Sequence, residues 1–539
     1  MDPSNNAAND VAIDAMLARI NGLATGQVPL DAPPAAPMAP PAAAAAPPAA
    51  PTPPPAAEAT QQPPVETPAV VIPSVAQAQQ AAPAAPAPAA VAQDPPETAS
   101  PQPALAADAT DDERAKADTS NTFLPREPQS FAEAKISAAI VEEIVIKFLL
   151  ARGEASIREI SDQVCLPFKL IDEIVVRLKA EQILGYIDQA AMNDYICRLT
   201  EMGRDRGQRY SEMCSYFGSV PVNFKDYVSS VEAQTINNQN PSQEDLKRAF
   251  SDLLIDPKLM IKLGPAVNSG KGMFLFGYPG NGKTSIAERI TAAFGPYVWI
   301  PRALSMDRDI VRLFDPMSHE EAPLENDETL LASNSYDKRW VRIKRPTIVV
   351  GGELTMEHLE IQYNPQTGIS EAPVQMKSNT GLLLIDDFGR QRMSVDELLN
   401  RWIVPLEKRY DFLNTSNGKK ILVPFDQLVV FSTNLEPKDL VDDAFLRRIP
   451  YKIEVENPSI ENFVKLFEIM CKIYKFEWRP AMVKYLIEKH YLPTDRPFRN
   501  CHPRDLLLQV TNYSKYLKIK PGMTEETLDF ACENYFSIM

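Results

Sequence analysis

The stretch from Met273 to Phe294 constrains this chain more tightly than any other. Met273-Phe-Leu-Phe276 reads as a short apolar strand. Gly277-Tyr278-Pro279-Gly280-Asn281-Gly282-Lys283-Thr284 is a glycine-rich loop, and Ser285–Phe294 continues with helical periodicity. Strand, loop and helix in that order belong to a parallel α/β sheet. The three glycines let successive backbone amides turn inward around phosphate oxygens. Lys283 has the length to reach β- and γ-phosphates, Thr284 presents a hydroxyl to Mg2+, and the helix that begins at Ser285 adds its N-terminal dipole. Gly277 to Ser285 are thus the expected nucleotide-binding residues, for ATP or GTP.

A second run, Leu382-Leu-Leu-Ile385-Asp386-Asp387, puts two acids after four apolar residues. Such a run is a buried parallel strand whose carboxylates sit at its C-terminal end, where ligands of open α/β sheets lie. Paired acids there can simply cap a strand, but the phosphate loop upstream favours chemistry. Asp386 then holds Mg2+ through water and Asp387 polarises the attacking water.

With these two elements the chain resembles the AAA+ ATPases over about residues 245–539. Val429-Val-Phe-Ser-Thr-Asn434 is similar to that family's sensor-1 strand, and Asp443-Ala-Phe-Leu-Arg447-Arg448-Ile449 to its arginine-finger segment. Cys501-His-Pro-Arg504-Asp-Leu resembles sensor 2 at a helix start. The resemblance implies a three-layer α/β/α core over residues 245–456 and a C-terminal helical lid over 457–539, with ATP and Mg2+ as cofactors. It implies that Asn434 helps place the lytic water and that Arg504 senses the γ-phosphate. Arg448, rather than its neighbour Arg447, would complete the site of an adjacent subunit, in a ring of six by analogy. One residue departs from the pattern: Asp387 stands where most of the family has Glu, so its carboxylate must approach the water differently. Asp386-Asp387-Phe388-Gly389 resembles the helicase-loader branch.

Tyr297–Ile300 reads as the next core strand. About 80 residues then precede the acid-bearing strand. Trp340–Leu354 and His358–Tyr363 alternate like strands and Asn364–Gly368 reads as a turn, so an inserted β-hairpin is expected over about 335–375. Arg342, Lys344 and Arg345 make it locally basic, either as a substrate-gripping loop or as surface decoration.

Ahead of the core, residues 129–216 follow the order of a winged helix-turn-helix domain, and 217–244 read as a connector. Ile136, Ile140, Ile144 and Phe148 mark a first helix. Ser156 with Glu159 caps a second, Phe168–Glu181 forms a third, and Ile183–Ile187 with Tyr195–Leu199 makes a hairpin. Nucleic-acid binding needs a basic footprint, yet about 11 basic residues here face about 14 acidic ones, with Asp188 and Asp194 on the wing. A protein-docking role fits that balance better than DNA.

Residues 28–128 hold most of the 49 prolines, interleaved with alanine, and cannot bury enough surface to offset their ordering entropy; a disordered spacer is expected. Before it, residues 1–27 carry Val11, Ile13, Met16, Leu17, Ile20 and Leu23 at helical spacing, a short amphipathic segment suited to a partner. The net charge of −16 gives no overall attraction to nucleic acid or an anionic bilayer. With no long apolar run, no signal-peptide pattern and six scattered cysteines, a cytoplasmic protein with reduced thiols and no membrane span is expected. Together these features point to an oligomeric, chaperone-like ATPase that remodels a protein partner reached through the winged helix and the tether. The winged-helix order and Gly264-Pro-Ala-Val-Asn-Ser-Gly-Lys-Gly272 are similar to bacterial ATPases associated with Flp-type pilus assembly. The alternatives are a DNA-associated motor (helicase loader, transposition helper or regulator) and a nucleotide-gated scaffold.

Overall fold

The computed structural model describes residues 123–191, 194–307, 309–322 and 336–537. The amphipathic segment and almost all of the Pro/Ala spacer lie outside them.

Helix Ala138–Arg152 starts at Ser137, whose side chain accepts from Ala139 N, and stops at Gly153 (φ 91°). Strand β1 (Glu154–Ser156) follows, then helix Ile157–Val164 behind a capping box of Ser156 and Glu159. Helix Phe168–Ala180 leads into β2 (Leu184–Ala190) and β3 (Asp194–Leu199). The sheet order is β1-β3-β2, antiparallel throughout, so a third strand joins the expected hairpin. Asp194 is no wing charge. It is buried, and its carboxylate accepts from Ile157 N (3.0 Å), Arg158 N (3.2 Å) and its neighbour Tyr195 N, closing the start of the second helix. After helix Glu201–Met213 the chain passes through β4 (Val222–Asn223).

The core is a five-stranded, all-parallel sheet. Its strands are β5 (Met273–Phe276), β10 (Thr347–Val350), β13 (Leu382–Ile385), β16 (Leu428–Thr433) and β17 (Tyr451–Glu454), in the order β10-β13-β16-β5-β17. Successive residues feed opposite faces. Leu382, Leu384 and Val430 pack with Leu263 and Ile286 on one side, whereas Leu383, Ile385 and Phe431 pack with Leu398 and Trp402 on the other. Burial on both faces explains why β5, β13 and Leu428–Phe431 of β16 are continuous apolar runs, whereas the edge strand β17 alternates, with Lys452 and Glu454 exposed.

The stretch between β5 and β10 corrects two expectations. Tyr297–Ile300 is not a core strand: β6 (Tyr297–Pro301) pairs antiparallel with β9 (Trp340–Lys344) in a separate two-stranded sheet. Nor is Trp340–Leu354 one arm of a hairpin. Arg345-Pro346 splits it, and β10 beyond the split is the edge of the core sheet. At the split Pro346 has no N–H to continue a ladder, and the buried Arg345 guanidinium donates to the carbonyls of Gly295 and Thr380. A true hairpin inside the expected span is β11 (Gln362–Asn364) with β12 (Ile369–Glu371). It joins β7 (Ala303–Met306), β8 (Asp309–Arg312) and β4 in the order β11-β12-β8-β7-β4. A further hairpin, β14 (Tyr410–Asn414) with β15 (Lys420–Pro424), is pinned at its tip by Ser416 N and Oγ donating to Asp309 (2.8 and 2.6 Å).

This inserted sheet seats the N-terminal domain. Ser215 N donates to Thr367 O (2.8 Å), Lys338 pairs with Asp162 (3.0 Å), and Ala303 lies in the N-terminal core beside Tyr216 and Val220. Gly368 (φ 65°) is required there: a Cβ would meet Met213 O at 2.3 Å. The three cations expected to make the insertion basic are all engaged internally. Arg342 lies over the Tyr297 ring, Lys344 pairs with Glu320, and Arg345 is buried.

The C-terminal helices Ile460–Ile473, Pro480–Leu486, His502–Tyr516 and Glu525–Phe536 share a core of Phe463, Phe467, Leu486, Leu506 and Leu528. His502 is buried there, with Nδ1 3.0 Å from the Tyr491 hydroxyl; burial, aided by Arg499, depresses its pKa from 6.5 to about 4. Between those values the unfolded chain binds more protons than the folded one. Stability therefore falls as pH drops from about 6.5 towards about 4. The chain should unfold at lower denaturant at pH 5 than at pH 7.5, and His502→Gln should shrink that difference. Among the described residues no helix is long and apolar enough to cross a membrane.

Candidate nucleotide site

The loop Gly277–Gly282 leaves the C-terminal end of β5 and enters helix Lys283–Ile290. Gly277 (φ 133°) and Gly280 (φ 84°) admit no side chain, since a Cβ would meet Val455 O at 2.6 Å and Cys501 Sγ at 2.5 Å. The neighbouring strands β13 and β16 end at the same edge, which brings Asp386, Asp387 and Asn434 to the loop.

Hydrogen bonds join these side chains into one constellation. Thr284 Oγ1 donates to Asp386 Oδ2 at 2.8 Å. Lys283 is buried, and its ammonium spends its three donors on Gly277 O (2.9 Å), Tyr278 O (3.1 Å) and Asn434 Oδ1 (2.7 Å). Asn434 Nδ2 in turn donates to Asp387 Oδ1 at 3.3 Å. Burial lowers the pKa of Lys283; Asp386 and Asp387 oppose that shift, and Arg499 adds to it. Asp387 holds a left-handed backbone (φ 49°), a conformation that Asp tolerates better than most residues. It is held there from both sides: Gln391 Nε2 donates to the carbonyls of Asp386 and Asp387, and Phe388 N to Ser432 O (2.7 Å). The facing hydroxyl and carboxylate of Thr284 and Asp386 are hard oxygen donors, which suit Mg2+ shared with phosphate oxygens.

Other expected site residues lie elsewhere. Asn281 is buried and faces away from the cleft: its amide donates to Asn457 Oδ1 (2.8 Å) and approaches Val455 O and Glu456 O. Ser285 is half-buried in the first helical turn, and Tyr278 and Pro279 are exposed. Arg448 Nε bonds Glu407 (2.6 Å) and its Nη1 the Ala444 carbonyl, whereas Arg447 is exposed and has no hydrogen-bond or ion-pair partner among the described residues. Arg504 pairs with its neighbour Asp505 (2.8 Å).

Arg499, Asn500 and Cys501 contact the loop, although none was an expected site residue and only Cys501 stands in the helix-start motif. Cys501 N donates to Gly280 O (2.9 Å), Asn500 Nδ2 to Asn281 O (3.0 Å) and Arg499 Nη1 to Pro279 O (3.5 Å). Their one signal was adjacency to the expected Arg504.

Residues 459–534 match a family described as a domain of unknown function (DUF8689). No curated protein matches the chain. Among solved structures, a RuvB point mutant from Thermotoga maritima is 12% identical, covering 57% of this chain and 73% of its own, with a TM-score of 0.30. The Thermotoga maritima RuvB Holliday junction branch migration motor is 14% identical over 57% and 71% of the two chains, with a TM-score of 0.29. Likenesses that distant carry no weight beside the geometry of the site.

Proposed function

We propose that this chain is an AAA+ ATPase that acts as an oligomeric motor on a protein assembly. The observation that carries this reading is the convergence of Lys283, Thr284, Asp386, Asp387 and Asn434 at one sheet edge, linked by hydrogen bonds. Thr284 and Asp386 would hold Mg2+, which would supply positive charge to offset that developing on the phosphates. Lys283 would exchange its present acceptors, Gly277 O, Tyr278 O and Asn434 Oδ1, for phosphate oxygens. That exchange frees Asn434 Oδ1, and Asn434 and Asp387 together orient a water for in-line attack, with Asp387 accepting its proton. Asp387→Asn tests this division of labour. ATP affinity should stay within about threefold, while turnover falls by about 10²–10⁴-fold, the usual range for a lost general base. An unchanged rate would remove Asp387 from that role.

A finger acting on a neighbour's nucleotide must be free to reach out. Arg448 is tied to Glu407 and Arg447 is not, so Arg447 takes the trans role and Arg448 braces its helix. In the assembled state Arg447→Ala should cost about 10³-fold or more in turnover without loss of ATP binding, and Arg448→Ala much less. The opposite ranking would restore Arg448 as the finger.

We read the N-terminal domain as a winged helix that docks protein. On its third helix Arg177 is engaged by Glu142 and Lys179 lies over the Tyr186 ring, while Asp172, Glu173 and Glu181 offset the exposed Lys169. The full chain should bind duplex DNA only weakly at physiological salt; sub-micromolar, salt-sensitive binding would favour the DNA-associated motor instead. The resemblance to ATPases of Flp-type pilus assembly suggests the class of protein assembly on which such a motor would act.

A further inference from the structure

We propose that Gln391 is a positioning residue for Asp387: its side chain staples the turn that carries the water-orienting carboxylate. The inference rests on the ATPase reading above. Beyond β13 the chain turns through Asp386–Gly389 before it runs on to helix Val395–Lys408. Asp387 sits in that turn with a left-handed backbone, φ 49°. A residue with a side chain keeps such a conformation only where its surroundings over-determine it. Gln391 supplies much of that constraint, because its amide spans the turn with both ends. Its Oε1 accepts from Gly389 N (2.8 Å), and its Nε2 donates to Asp386 O (3.1 Å) and Asp387 O (3.2 Å). Those two carbonyls belong to the two planar peptide groups that meet at the Asp387 Cα. Holding both fixes φ and ψ there, and with them the direction of the Cα–Cβ bond.

The neighbours of Asp387 are anchored independently. Asp386 N donates to Val350 O at 2.8 Å. Phe388 is buried against Phe274 and Phe431, its N donates to Ser432 O (2.7 Å), and its carbonyl accepts from Thr433 Oγ1 (3.0 Å). Asp387 between them is exposed, and its carboxylate meets Asn434 Nδ2 at 3.3 Å, beyond the usual range for a hydrogen bond to oxygen. That contact is too weak to aim the carboxylate alone. Arg390 N shares the Asp387 carbonyl (3.0 Å), but Gln391 holds Asp386 O and Gly389 N as well. A side chain as short as Asp passes any rotation of its backbone directly to its carboxylate. The staple therefore sets where the carboxylate stands relative to the attacking water. Among the described residues no hydrogen bond joins Gln391 to the phosphate loop, so its effect falls on the chemical step and not on nucleotide binding.

The test measures the ATP dissociation constant and kcat for the full chain carrying Gln391→Ala, Gln391→Met, Asp387→Asn, or Asp387→Asn with Gln391→Ala. Misplacing a reacting group by about 1 Å costs up to about 10²-fold, so Gln391→Ala should lower kcat by roughly 10- to 100-fold. ATP affinity should stay within about threefold, which also shows that the variant is folded. Gln391→Met keeps the length and volume without the hydrogen bonds, and should lose as much as Gln391→Ala. In the Asp387→Asn chain the second change should cost less than about twofold more, because the group that Gln391 positions is already gone. Full turnover in Gln391→Met would reduce Gln391 to a filler of space. An undiminished further loss in the double variant, or a loss of ATP affinity as large as the loss of kcat, would overturn the assignment. If Asp387→Asn alone leaves kcat unchanged, or if the unsubstituted chain shows no Lys283-dependent ATP binding, the ATPase reading fails instead.

Discussion

Lys283→Ala is expected to abolish ATP turnover while leaving a folded protein. The lysine is buried at the loop, and its ammonium already pays for desolvation, as its lowered pKa shows. Its three bonds to Gly277 O, Tyr278 O and Asn434 Oδ1 hold it beside the phosphate cradle rather than stabilise a core. Truncation frees two carbonyls at the cleft, where water can reach them, and removes a desolvated charge. These changes oppose each other, so stability should move by no more than about 1–2 kcal/mol. Function has no such compensation. Losing a charged donor to the β- and γ-phosphates should weaken ATP binding by roughly 100-fold. Turnover should fall by a further factor of about 10²–10³, because the same charge stabilises the transition state. Equilibrium binding of a fluorescent ATP analogue and steady-state hydrolysis, with circular dichroism as the folding control, measure the two separately. Retained turnover would mean that the phosphates are held elsewhere.

The largest effect on stability is expected at Asp337 and Arg339, far from the nucleotide. Both side chains are about 4% exposed, and Arg339 bonds both Asp337 oxygens through Nε (3.0 Å) while Nη2 adds a 2.7 Å contact. Its remaining arm, Nη1, donates to Ala134 O in the N-terminal domain at 3.2 Å. Asp337→Ala would leave a guanidinium buried without its counter-charge, a loss of about 3–5 kcal/mol. Arg339→Ala should cost about as much and also release residue 134. Replacing both by apolar residues of similar volume should cost far less than either single change, because the pair's own attraction is largely offset by its desolvation. Denaturant unfolding gives the energies. Limited proteolysis near residues 214–222 reports whether the N-terminal domain has left its seat. Single substitutions costing under about 1 kcal/mol would show that water reaches the pair.

The parts of this fold legible in the sequence are those whose physics is local. β5, β13 and the first four residues of β16 are legible because a strand buried on both faces is a nearly continuous apolar run. The phosphate loop was visible because its glycines meet conformational demands that other side chains cannot. The misreadings have one cause. Tyr297–Ile300 is as apolar as a core strand, but nothing in its composition says that it pairs with Trp340–Lys344 while Thr347–Val350 takes the sheet edge. The split falls at Arg345-Pro346, where Arg345 finds Gly295 O and Thr380 O, contacts made 50 and 35 residues away. Likewise Asp194 reads as a surface charge until the fold brings two helix-start amides to it.

The same division holds for the site. The sequence by itself picked out Lys283, Thr284, Asp386, Asp387 and Asn434, the reactive groups of the proposed function, because short motifs at strand ends carry them. Only the tertiary structure shows which neighbouring cations already have partners. Arg447 and Arg448 are adjacent in sequence, and Glu407 separates them; Arg504 carries the expected motif, and Asp505 engages it. Arg499 stands at the loop because Cys501 N donates to Gly280 O and Asn500 Nδ2 to Asn281 O, joining two segments far apart in the chain. A side chain's identity sets what it can do, but its partner sets whether it is available, and partners are chosen by packing across the whole chain.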